Sequence, residues 1–82
     1  MTLYMSDWCP YCQRARNLLT EKNVFFTEIN VEDQLKFRDE MISRSNRRTV
    51  PQIFIGDKHV GGCDELFELD HSGELDRLIQ GA

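Results

Sequence analysis

In Trp8-Cys9-Pro10-Tyr11-Cys12 a proline stands between two cysteines set three residues apart. Proline has no N–H and a fixed φ, so the first turn of a helix is where it costs least, and Cys9 then falls at the N-cap. Downstream, Cys12, Ala15 and Leu19 recur at i, i+3 and i+7 with Leu18 beside them, which is one apolar face of a helix. That helix runs to about Lys22-Asn23, where Asn23 can end it. Upstream, Thr2 to Met5 alternates like a short strand. A strand therefore feeds a helix through the cysteine pair.

Further along, Phe25, Phe26 and Ile29 mark a second strand, and Leu35, Met41 and Ile42, with Phe37 nearby, line a second helix. Pro51 to Ile55 forms a third strand, and Gly56-Asp57-Lys58 turns the chain into His59-Val60, a short fourth strand broken by Gly61-Gly62. Asp64 to Asp70 carries Leu66, Phe67 and Leu69 on a third helix, and Glu74 to Gln80 suits a further terminal one. The order is βαβαββα, an α/β arrangement in which one small mixed sheet is flanked by helices. The strand–helix–strand units imply parallel pairing with right-handed crossovers, and the last two strands an antiparallel hairpin.

At 82 residues the chain has room for one domain, residues 1–82, and no repeat or linker divides it. With 40% hydrophobic and 29% charged residues it reads as globular. No apolar run approaches the roughly 20 residues of a membrane helix, and no signal-peptide pattern opens the chain, so a cytoplasmic location is expected. A formal net charge of −4 argues against a general nucleic-acid or acidic-membrane binder. Three cysteines, an odd number, do not suit a disulfide framework; catalytic or metal-binding thiols remain.

An N-cap cysteine meets free N–H groups and the positive end of the helix dipole, which favour a thiolate. The dipole contributes only about 0.3–1 kcal/mol, so direct N–H···S bonds or cations such as Arg14 and Arg16 should add to it, while Asp7 opposes. Cys12, on the buried face with Ala15 and Leu19, is expected to be shielded. An exposed Cys9 would attack a disulfide and Cys12 would then resolve the mixed disulfide. Two other readings stand beside this one. Zinc could recruit His59 and Cys63 into a Cys3His set, although zinc turns usually carry glycine and not a proline-led helix start. Alternatively, the pair could be inert and buried.

Three separated segments resemble the dithiol glutaredoxins: Cys9-Pro10-Tyr11-Cys12, Thr49-Val50-Pro51 with Gln52-Ile53-Phe54-Ile55, and Gly61-Gly62-Cys63-Asp64-Glu65-Leu66. The resemblance spans essentially the whole chain and implies a thioredoxin-like fold. It implies a glutathione-dependent thiol–disulfide oxidoreductase, with Cys9 as nucleophile, Cys12 as resolving thiol and glutathione as cosubstrate. No permanent cofactor or metal is implied. Its partners would be disulfide-containing or glutathionylated proteins, ribonucleotide reductase among them, and the chain would act as a monomer.

The resemblance also implies a glutathione site built from Tyr11, Arg47, Thr49, Val50, Pro51, Gly62, Cys63 and Asp64. Val50-Pro51 would be a cis peptide whose backbone pairs with the extended ligand. The N–H groups after Gly61-Gly62 would hold the γ-glutamyl carboxylate, and Asp64 would take the ammonium group or cap the helix. Many glutaredoxins have a lysine before the first cysteine to meet the glycine carboxylate. Here that position is Ser6, and Arg47 or Arg48 is expected to compensate. Arg44, Arg47 and Arg48 form a basic cluster that otherwise reads as a solvated loop. Tyr11 would flank the groove or pack beneath the active-site loop. Trp8 before the first cysteine resembles thioredoxins and could shield the thiolate. Cys63 would contribute its backbone, and His59 and His71 would be surface or hairpin positions.

Two alternatives follow from the same resemblance. One is a thioredoxin-like donor fed by a flavoenzyme reductase, which Trp8 and the missing lysine favour and the Gly61 to Asp64 segment disfavours. The other is an iron–sulfur carrier in which Cys9 of two chains and two glutathiones hold a cluster, which Pro10 and Cys12 disfavour.

Overall fold

A computed structural model describes residues 1–81. The elements are β1 (Thr2–Met5), α1 (Pro10–Glu21), β2 (Thr27–Asn30), α2 (Leu35–Ser45), β3 (Gln52–Ile55), β4 (Lys58–Gly61), α3 (Cys63–Ser72) and α4 (Glu74–Gly81). The sheet order is β2-β1-β3-β4, with β1 and β2 parallel and both other pairs antiparallel. This is the thioredoxin-like mixed sheet.

Alternation along β1 and β3 divides the core in two. Leu3, Met5 and Ile53 point to one face, where they pack with Cys12, Ala15, Leu18 and Leu19 of α1, Leu66 of α3 and Leu75 of α4. Tyr4 and Phe54 point to the other, against Val31 and Met41. Their rings meet edge to face at 5.7 Å between centroids. Arg44 completes this side: its guanidinium lies 4.0 Å from the Phe54 ring centroid and donates to the Tyr4 hydroxyl at 3.0 Å and the Gly56 carbonyl at 3.2 Å. It is therefore part of the packing and does not belong to a solvated basic loop.

The helix expected after Cys9 starts at Pro10 and ends where Asn23 takes a left-handed φ of 57°, a conformation its short polar side chain tolerates. Lys22 pins this end to α3 and α4 through Asp70 at 2.7 Å and Asp76 at 3.0 Å.

Four expectations are corrected. β2 begins at Thr27, opposite Thr2, so Phe25 precedes the ladder and stands 98% exposed. Leu35 opens α2 but is 80% exposed: it lies about 120° round the helix from buried Met41. The second crossover yields no parallel pair, because β3 runs antiparallel to β1 after the left-handed Asn46 redirects the chain. Finally, Gly61 ends β4 instead of breaking it, and α3 starts at Cys63 with Gly62 as its cap, so Asp64 lies inside the first turn and is not the cap.

Candidate active site

Cys9 is the N-cap of α1, in extended backbone, and the Cys12 N–H points at its sulfur at 3.4 Å. The Cys9 thiol in turn donates to the Val50 carbonyl at 3.6 Å, across 41 residues of chain. β3 brings that carbonyl here: its first residue, Gln52, pairs with Tyr4 near the end of β1 that leads to Cys9. The Val50-Pro51 peptide is cis.

The two thiols differ in access. Cys9 is half-buried, whereas Cys12 is 2% exposed and packs in the core. Burial pushes the Cys12 thiol up to about 12; a backbone hydrogen bond of Ser6 opposes this, and the neighbouring Cys9 raises it further. Cys63 is also buried and its thiol is raised, first by desolvation and then by the Asp64 carboxylate, with Arg14 opposing. Arg16 is engaged elsewhere, in a two-pronged pair with Glu28 of β2. Trp8 is 89% exposed, and an indole that open shields little of the thiol beside it.

A groove of about 180 Å³ lies next to Val50. Tyr11, Arg47, Thr49, Val50, Pro51, Gly62, Cys63 and Asp64 all line it, joined by Gln52 and Glu65. Tyr11 thus flanks the groove rather than packing under the loop. Of the two arginines offered to replace a lysine at Ser6, Arg47 lines the groove and Arg48 is not among its lining residues. Ser6 itself is buried.

Gln52 and Glu65 escaped the sequence reading. Gln52 is fully buried: its Nε2 donates to the Thr49 carbonyl at 3.0 Å, and its Oε1 meets His59 Nε2 at 2.7 Å. It holds the Thr49-Val50 wall of the groove from behind. His59 stacks on Phe54 at 4.8 Å, and burial first and the Arg47 charge second lower its pKa below the usual imidazole value. A single amide within the apolar run Gln52-Ile53-Phe54-Ile55 was the available signal, since a buried amide needs partners.

Glu65 accepts the Gly62 N–H at 3.0 Å and is ion-paired with Arg47 through the same carboxylate oxygen. Those two contacts hold its carboxyl below the usual range. Glutamate three residues after a helix cap is the half of a capping box that could have been read. Gly61 makes room for it: with φ at 121°, a Cβ there would lie 2.6 Å from Glu65 Oε1. At Gly62 a Cβ would come within 3.2 Å of the Pro51 carbonyl. The glycine pair therefore lets the α3 entry close against the Val50-Pro51 wall.

Among the described residues, no group of three or more His, Cys, Asp or Glu side chains is placed to hold a metal, so the Cys3His set is not assembled. Nor is any helix among them long and apolar enough to cross a membrane.

The comparisons with known proteins agree with this geometry. The Glutaredoxin family model matches residues 1–60. Glutaredoxin 3 of Escherichia coli (strain K12) is 50% identical over 78 residues, covering 95% of this chain and 94% of that protein. The solution structure of glutaredoxin from Brucella melitensis is 49% identical with a TM-score of 0.83, covering 95% of this chain and 85% of that one. A buckwheat glutaredoxin–glutathione complex superposes with a TM-score of 0.89 at 26% identity, covering 98% of this chain and 76% of the other. With the paired cysteines at the start of α1 and a match along nearly its whole length, the chain belongs to the glutaredoxin family, whose members are thiol oxidoreductases.

Proposed function

We propose that this protein is a glutathione-dependent thiol–disulfide oxidoreductase of a reducing compartment such as the cytoplasm, acting as a monomer on glutathionylated and disulfide-containing proteins. The observation that carries this reading is the continuity of the groove with the thiol. Its wall, Val50, is the residue whose carbonyl accepts a hydrogen bond from the Cys9 thiol at 3.6 Å.

In this reading the Cys9 thiolate attacks the glutathione sulfur of a mixed disulfide. The old S–S bond breaks, the protein thiolate leaves, and glutathione is held on Cys9. A second glutathione attacks that glutathione sulfur, so glutathione disulfide departs and the Cys9 thiolate returns. With a protein disulfide, Cys9 forms a mixed disulfide with one substrate sulfur. Cys12, deprotonated, then attacks the Cys9 sulfur and releases the reduced protein. Two glutathiones reduce the resulting Cys9–Cys12 disulfide.

The groove supplies contacts for the glutathionyl group. The Val50 backbone meets its extended chain, the N–H groups of Cys63 and Asp64 at the α3 entry meet one carboxylate, and Arg47 the other. In this reading Asp64 accepts the ammonium group, and Tyr11 and Thr49 flank the ligand. Pro51 fixes the wall on which Val50 is presented.

The test is NADPH oxidation with glutathione, glutathione reductase and a small glutathione mixed disulfide. Rapid, protein-dependent turnover is expected. No turnover, with turnover appearing instead when thioredoxin reductase is supplied, would overturn the glutathione reading in favour of a thioredoxin-like donor.

A further inference from the structure

Arg47 is not a free cation in the groove. Among the described residues its side chain donates through Nη1 to Glu65, and the accepting oxygen is the one that caps Gly62. Both residues line the groove and both are part-exposed, so a ligand carboxylate arriving at Arg47 comes up against the carboxylate of Glu65. Asp64, one residue earlier, adds a second negative charge at the same wall.

We propose that Glu65 is a specificity-determining residue that competes with the incoming carboxylate for Arg47 and so weakens the hold of the groove on glutathione. This rests on the glutathione reading above and goes beyond it, since nothing in the transfer chemistry requires the competitor. Two effects act in the same direction. The ion pair spends part of the guanidinium's attraction on Glu65, and the uncompensated half of the Glu65 carboxylate repels a second anion. The capping role is separable, because an amide oxygen accepts the Gly62 N–H as a carboxylate does. Relieving the competition speeds capture of glutathione but slows its release from Cys9, and a catalyst that must shed its ligand every cycle gains from the weaker hold.

The test measures exchange equilibria at Cys9 in a Cys12→Ser background, where the mixed disulfide accumulates. The reaction is reduced Cys9 plus glutathione disulfide giving Cys9-bound glutathione plus one glutathione. The same constant is measured with bis(2-hydroxyethyl) disulfide, which is neutral and has no carboxylate. Glu65→Gln is expected to raise the glutathione constant about two- to fivefold, the scale of one part-exposed ion pair, and to leave the hydroxyethyl constant in place. Adding Arg47→Gln should remove that gain. A glutathione constant that stays level or falls would overturn the proposal, as would an equal rise with both disulfides or a gain that survives loss of Arg47. Failure of the underlying reading looks different: the protein with Glu65 intact would then show no preference for glutathione over the neutral disulfide.

Discussion

Cys9→Ser is expected to reduce every thiol-transfer activity to background, in both the glutathione mixed-disulfide assay and protein disulfide reduction. A serine hydroxyl stays protonated at neutral pH and forms no S–S bond, so no mixed disulfide can begin. The substitution should leave the fold alone, because a hydroxyl can accept from the Cys12 N–H and donate to the Val50 carbonyl as the thiol does. Neither other cysteine is suited to take over. Cys12 is 2% exposed with its thiol raised to about 12, and Cys63 is buried with its thiol raised as well. Activity surviving in Cys9→Ser would mean that one of these two opens to attack disulfides, and the nucleophile assignment would be wrong.

Cys12→Ser is expected to separate the two reactions. Removal of glutathione from a mixed disulfide needs one thiol and should persist, whereas reduction of protein disulfides that need intramolecular resolution should fall by about a hundredfold or more. The structure explains why Cys12 can wait without interfering. Burial is the main reason its thiol is raised, and the adjacent Cys9 adds to it through a hydrogen bond and charge. At neutral pH Cys12 therefore rests as the thiol. Once Cys9 is tied in a mixed disulfide its thiolate charge is gone, and that part of the upward shift goes with it. Resolution is thereby favoured only after the first attack. Side-by-side assays with a glutathionylated and a disulfide-bonded protein check this; equal loss in both would give Cys12 a role other than resolution.

The site was legible where its signals are local. Pro10 fixes the start of α1, which puts Cys9 at the cap and Cys12 on the apolar face with Ala15 and Leu19. Alternation in Thr2–Met5 and the Gly56-Asp57 turn likewise speak through neighbours in the chain. What escaped depends on partners far away. Arg47 and Glu65 meet across 18 residues, and Arg44 reaches Tyr4 across 40. No periodicity reports such pairs, so Arg44, Arg47 and Arg48 looked like one basic cluster when Arg44 stacks on Phe54 and Arg47 pairs with Glu65. Phe25 and Leu35 misled for the opposite reason: each is apolar and near an element, yet hydrophobicity alone does not say where the ladder begins or which side of a helix meets the sheet. The antiparallel entry of β3 is a property of the packed sheet, and with it comes the placement of Val50 beside Cys9.

In this mechanism Cys9 alone attacks the disulfide sulfur, and where no second glutathione intervenes Cys12 resolves the mixed disulfide that results. Intact-mass measurement and peptide mapping after brief exposure of the reduced protein to glutathione disulfide read out both steps. An internal Cys9–Cys12 disulfide with no glutathione retained is expected in the natural sequence, glutathione on Cys9 alone in Cys12→Ser, and an unmodified Cys63 in both. Glutathione found on Cys12 or Cys63 while Cys9 stays reduced would contradict this mechanism.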